Sequence, residues 1–369
     1  MNWFVVGFMT FLGFVLNLIV TPLVLKVAHH KDWLDKPNHR TVHTDPVPRL
    51  GGVGMFLSAG VVLIGLFLLA FFGISWLAPE TWTLSVFLLF LGWASTHVLG
   101  VLDDFVQFRA IYKFLLQMLG VLLALGAGLL IDRITIPGTD LVLPLGVFAP
   151  FVTLFWIAGV TNAVNLIDGM DGLAGGFSLL ALSALGVYSA MTGQVLATVV
   201  CFTVVGTLAA FLVFNFPPAK IFMGDSGSLM LGYLLAVIPL WGGASSLFHQ
   251  FWLLPVVLVL FPLSDTLAAI LRRLRENRPI WNPDKVHTHH KLLALGVSTK
   301  AVLALVYGTT MVTSLPIIIA GLNWNHPEAR YLSWISSAAA GLIILSFFSI
   351  LHYVYRRRFP SLRKQGPVN

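Results

Sequence analysis

Charge is what this sequence has least of. Only 10% of its 369 residues are Asp, Glu, Lys or Arg, where a soluble domain carries about a quarter, so water is not the main solvent. Cysteine is nearly missing too. Cys201 stands alone inside an apolar run, which excludes an internal disulfide and gives redox chemistry no foothold. Linkers, low-complexity tracts and internal repeats are also missing, so one membrane domain over 1–369 is expected. The first apolar run lacks a basic start and an A-x-A exit and is too long for an h-region, which argues against a cleaved signal peptide.

What is present is hydrophobic: 57% of the chain, in runs of about 20 residues, each long enough for a helix to cross the hydrocarbon of a bilayer. Eleven such runs lie near 3–25, 50–73, 82–102, 112–131, 147–165, 172–192, 194–214, 227–247, 249–271, 300–323 and 331–354. The eighth and ninth are parted only by GGASSLFHQ, so ten is the other count. The fold expected is an all-α polytopic integral membrane protein of about eleven spans. A small β-hairpin is expected over 134–146, where ITIPGTDLVLPLG alternates around a turn.

Lysine and arginine fall on one side. Counting alternate loops with their helix ends, twenty of the 22 lie together, and the other side holds only Arg133 and Arg330. Basic loops stay in the cytoplasm, which puts the amino terminus outside and the carboxyl terminus inside. The net charge of +7 is spread over juxtamembrane loops without an aromatic-basic module, so no nucleic acid is expected. Membrane lipids and phosphorylated substrates suit it better.

The inner loops also hold nearly all the unusual polar residues. Asp103 and Asp104 follow a span directly, where a carboxylate is costly unless it meets water, a cation or a substrate. Being adjacent, they do not share a helix face, so one can act in the cavity while the other positions a partner. Asn162, Asn165, Asp168 and, more loosely, Asp171 form a polar stripe at helical spacing, beside Gly169 and Gly172. Asp225 sits in FMGDSGS, which alone reads equally as a helix N-cap, and Phe222 precedes it as an aromatic able to stack on a base. His287, His289 and His290 form H-x-H-H in a basic loop with Arg272, Arg273, Arg275, Arg278 and Lys285. Zinc is the first alternative there, but cysteine is absent and carboxylates are sparse, so donors to a diphosphate fit better. Five aspartates and two asparagines on one wet face, opposed by cations, suit a hard divalent ion, Mg2+ or Mn2+, on a phosphorylated substrate.

In this order, the motifs resemble those of the polyprenyl-phosphate N-acetylhexosamine-1-phosphate transferase family, which also contains the phospho-MurNAc-pentapeptide translocase. The resemblance covers about residues 35–300 and is closer to the UDP-GlcNAc:undecaprenyl-phosphate branch. RRLRENRPIWNPDKVHTHH resembles that branch's basic loop ending in His-x-His-His, whereas the translocase has three consecutive histidines. The family implies that Asp103, with Asp104 supporting, deprotonates or orients the lipid phosphate, and that Asp225 is the principal magnesium ligand with Asn165 assisting. It implies nucleotide contacts from Asn215, Phe222 and Asp171, with the last two holding the uracil. Lys113 would touch the diphosphate, His287, His289 and His290 the diphosphate or sugar, and Asp168 lies in the same pocket. Gly51 and Gly52 would end a loop folding over the site, while Lys36, Arg40 and Arg49 receive no role.

The expected reaction is attack of undecaprenyl phosphate on the β-phosphorus of UDP-GlcNAc, initiating a cell-envelope glycan at the cytoplasmic face of a bacterial inner membrane. A covalent variant would use Asp103 or Asp104 as nucleophile. Within the family the competing reading is another sugar, phospho-MurNAc-pentapeptide above all. Outside it stand a secondary transporter, which usually shows inverted repeats, and a lipid-binding scaffold, which would not need five aspartates. Members of the family often appear as homodimers.

Overall fold

The structure, a computed structural model, describes residues 3–35, 46–74, 81–137, 139, 141–242, 246–279, 287–326 and 330–359. Fourteen α-helices and one two-stranded sheet make up the regular structure among them. Eight helices are long and apolar enough to cross a membrane. They are α1 (Trp3–His30), α2 (Gly51–Phe71), α3 (Leu84–Val106), α5 (Ala149–Ile167), α6 (Leu173–Met191), α7 (Val195–Asn215), α13 (Thr299–Leu322) and α14 (Arg330–Arg358). Two shorter apolar helices are α4 (Ala110–Gly126) and α8 (Gly224–Val237), the latter extended by a 3-10 turn to Leu240. The chain is an all-α polytopic membrane protein.

The eleven expected runs correspond to these eight, the two shorter helices, and 249–271, which is not one helix. That stretch is divided into α9 (Leu247–Phe251), α10 (Leu253–Leu258) and α11 (Leu260–Arg275). Two prolines account for the division, since Pro255 and Pro262 are each the third residue of a helix. Proline is tolerated in a first turn, where its missing N–H has no intrahelical partner, but it does not continue a helix.

Burial ranks the helices. From Ser226 to Val237 every residue of α8 is buried, as befits a helix that is hydrophobic all round. It packs between α3 and α5, with α2 and α6 also against it. Further out, α7 is sandwiched by α1 and α6, and α13 covers α6. The N-terminal end of α8 is approached unusually closely by two neighbours. A Cβ added at Gly52 of α2 would overlap the backbone of Gly227, and one at Gly100 of α3 would overlap the Asp225–Ser226 peptide. Only glycine permits that approach, and it delivers α2 and α3 to the place where the polar residues meet.

The hairpin expected over 134–146 is present. Strand β1 (Arg133–Thr135) pairs antiparallel with β2 (Val142–Pro144), Ile134 opposite Leu143. It is pinned by Trp252, whose indole N–H donates to Thr135 O at 2.9 Å, and by His249, 2.9 Å from Asp132 Oδ1.

Candidate active site

Four helix ends converge on one polar centre. Helix α3 ends on Gln107, held in the left-handed region at φ 54°, and the next N–H, of Phe108, donates to Asp103 Oδ1 at 2.6 Å. The other oxygen of Asp103 lies 2.9 Å from Lys113 Nζ, in the first turn of α4. Lys113 also pairs with Asp225 Oδ2 at 2.5 Å and donates to Asn165 Oδ1 at 3.2 Å. Asn165 Nδ2 closes the ring by donating to Asp225 Oδ1 at 2.6 Å and to Ser228 Oγ at 2.8 Å. Asp103, Lys113, Asn165 and Asp225 thus form one connected set drawn from α3, α4, α5 and α8.

The adjacent aspartates divide their work as their different helix faces require. Asp104 does not join the ring; it accepts the N–H groups of Asp225 at 2.8 Å and Ser226 at 3.1 Å. It therefore caps the N-terminus of α8 from another helix, satisfying donors that the helix itself leaves open. The side chain of Asp225 is oriented by its own backbone being held.

Asp168 caps the C-terminus of α5. It is partly exposed, although protein atoms surround the carboxyl at longer range. Desolvation, and then the carboxylates of Asp225, Asp104 and Asp171, push it up to about 8, with Arg49 opposing. Arg49, left without a role by the sequence, pairs with Asp35 at 2.6 Å and extends its charge toward this acid.

Asp171 and Asn215 hold the loops beside this centre. Asp171 Oδ2 accepts the N–H of Ala219 at 3.0 Å. Asn215 is buried and uses both ends of its amide on backbone: Oδ1 accepts from Gly172 N at 2.9 Å and Nδ2 donates to Ile221 O at 2.8 Å. Its amide is therefore spent on bracketing two loops, not on a direct nucleotide contact as expected. Phe222 is half-buried, and its backbone bonds to Pro48 and Gly51, docking the chain before α2 against the entry to α8.

The histidines reach the same region from α12 (Thr288–Ala294). The rings of His287 and His289 are parallel, 6.1 Å apart. A Cβ on Gly169 would stand 2.8 Å from the His289 ring, so His289 lies directly against the loop that carries Asp168. Burial, and then His290, pull its imidazole down to about 3, and its buried Nε2 has no partner among the described residues. His289 is a neutral polar group, whereas the sequence allowed a cation. Lys36, Arg40 and Lys285 lie outside the described residues.

Sequence reasoning overlooked three participants. Gln117, one turn beyond Lys113, accepts from Asn162 Nδ2 at 2.8 Å beneath the ring. Ser228 supports Asn165. Asp265, buried within an apolar stretch, holds His287 at 2.7 Å. A carboxylate inside PLSDTLAA was the available signal, since an acid in such a run is rarely idle.

Among the described residues no three carboxylate or histidine groups converge as a ready metal cage. The donors nonetheless fit magnesium. Two carboxylates and an amide oxygen already gather around one cation, the Lys113 ammonium, and magnesium usually takes one or two carboxylates with substrate phosphates rather than an all-protein cage.

Residues 86–243 match the family model described as Glycosyl transferase family 4. The chain is 36% identical over 304 residues to the "Probable undecaprenyl-phosphate N-acetylglucosaminyl 1-phosphate transferase" of Bacillus subtilis (strain 168), covering 82% of this chain and 81% of that one. The decaprenyl-phosphate N-acetylglucosaminephosphotransferase of Mycobacterium leprae (strain TN) is 32% identical over 318 residues, 79% of this chain and 78% of that one. The phospho-N-acetylmuramoyl-pentapeptide-transferase of Listeria welshimeri is 32% identical over 299 residues, with 76% and 87% covered.

Proposed function

Because the chain belongs to glycosyl transferase family 4, as a phospho-sugar transferase of the membrane, we propose that it transfers GlcNAc-1-phosphate from UDP-GlcNAc to undecaprenyl phosphate. An oxygen of the lipid phosphate attacks the β-phosphorus, the bond from that phosphorus to the bridging oxygen breaks, and UMP leaves. The observation that carries this reading is the Asp103–Lys113–Asp225–Asn165 ring at the converging helix ends. It sets carboxylates against a cation where a lipid phosphate and a water-borne diphosphate can meet.

Each residue then has a task. Asp103 orients the lipid phosphate, or takes its proton, through the oxygen that now faces Lys113. Lys113 releases its carboxylates in part to the incoming phosphates and offsets their charge. Asp225, with Asn165 beside it, would hold magnesium, while Asp104 fixes Asp225 by gripping the first turn of α8. When bound there, magnesium would supply charge neutralisation to the diphosphate. Phe222 and Asp171 border the uracil, and His287, His289 and His290 offer polar contacts to the diphosphate or sugar.

GlcNAc is favoured by the Bacillus and Mycobacterium relatives' names and by the His-x-His-His spacing. The similarity to the Listeria enzyme supports phospho-MurNAc-pentapeptide as the second reading. The charge asymmetry of the loops supports eleven spans, the amino terminus outside, and a site at the cytoplasmic face of a bacterial inner membrane. Purified protein given undecaprenyl phosphate and a panel of radiolabelled UDP-sugars should label the lipid from UDP-GlcNAc, and EDTA should stop it. Labelling only from UDP-MurNAc-pentapeptide would transfer the assignment to the second reading.

A further inference from the structure

Asp265 is an expensive residue to keep. It lies in α11 with 2% of its surface exposed, and a buried carboxylate persists only when donors satisfy it. Three do. Oδ1 accepts both the N–H of Thr288 at 2.7 Å and the Thr288 hydroxyl at 2.5 Å, and Oδ2 accepts Nδ1–H of His287 at 2.7 Å. The residue that interrupts the histidine run is thus no spacer. Thr288 and His287 together are clamped to α11 at the very start of α12.

The clamp decides what the histidines present. With Nδ1–H committed to Asp265, His287 turns its Nε2 edge away from α11, and that edge carries no bond among the described residues. The partner of one ring nitrogen sets the protonation of the other. His289, parallel to His287, is carried by the same turn to the Asp168 loop, where its Nε2 also has no partner.

We propose that Asp265 is a positioning residue of the transfer reaction. Through Thr288 it fixes the entry of α12, and through His287 it fixes the ring whose Nε2 edge meets the diphosphate. This inference rests on the transferase reading, since it needs a diphosphate at the histidines.

The test is a double-mutant cycle on purified, lipid-reconstituted protein, with kcat and KM measured for UDP-GlcNAc. Asp265→Asn, which keeps the volume and removes the charge, should lower kcat about 10- to 100-fold with KM changed less than about twofold. His287→Gln should do the same, and the double variant should be no slower than the slower single one, because the two act as one unit. A fully active Asp265→Asn, or losses that multiply, would overturn the role of Asp265. Inability of the wild type to transfer any sugar phosphate would instead overturn the transferase reading. If Asp265→Asn does not fold, nitrogen-15 histidine spectra of the wild type decide, with the His287 signal identified by its loss in His287→Gln. A proton on Nδ1 of His287 supports the clamp, and an Nε2-only tautomer overturns it.

Discussion

Asp103 and Asp104 were visible in the sequence as a pair, and the adjacency argument gave them different faces. It did not say which would face the lysine, because that depends on where α4 and α8 arrive. On the proposed mechanism Asp225→Asn should weaken magnesium dependence and lower kcat at least about 100-fold, since the carboxylate that pairs with Lys113 would also serve the metal. Asp103→Asn should abolish turnover while UDP-GlcNAc still binds, as read by titration calorimetry. Full activity in either variant would remove that residue from the mechanism. Asp168 carries a pH signature. Its carboxyl, pushed up to about 8, binds a proton in the folded protein that the unfolded chain has released above about 4. Its contribution therefore lowers stability as pH rises from about 4 to 8. Without substrate or magnesium, Asp168→Asn should raise the melting temperature more at pH 8 than at pH 5. An equal shift at both pH values would mean that neither burial nor the neighbouring carboxylates raise this acid.

Length and hydropathy located the helices well, because a bilayer-spanning segment announces itself through composition alone. They failed at 249–271, where Pro255 and Pro262 divide a run whose apolar character is continuous. The prolines were legible; their effect depended on α9, α10 and α11 finding separate neighbours. The same limit hid the clamp on α12, since Asp265 and Thr288 are distant in sequence and meet only after the division turns α11. Glycine contacts were equally out of reach. Gly52 was expected to end a loop folding over the site; it lies at the start of helix α2, where a Cβ would overlap the backbone of Gly227. Gly52→Ala should therefore push α2 off the entry of α8, with a stability cost of about 1–3 kcal/mol and a loss of activity above tenfold. A thermal melt and an activity assay within error of the wild type would show that the helices separate without consequence.

Across the whole molecule, the charge asymmetry and the proposed transfer make one joint demand: the helix ends that carry Asp103, Asp168 and Asp225 would open to the side that holds UDP-sugars. Reporter fusions after Gly193 and Asn325 should read outside, and one near Arg278 inside. A cytoplasmic signal at Asn325 would overturn the eleven-span arrangement. The central claim is narrower still: a lipid phosphate attacks the sugar-bearing phosphorus, and the bond from the sugar's C1 to its oxygen is never broken. The most direct measurement uses UDP-GlcNAc with oxygen-18 between C1 and that phosphorus, incubated with the protein, undecaprenyl phosphate and magnesium. The label should remain in the lipid product, and UMP should appear only when the lipid is present. Free sugar or sugar phosphate released at full rate without lipid, or label lost from the lipid product, would contradict the account.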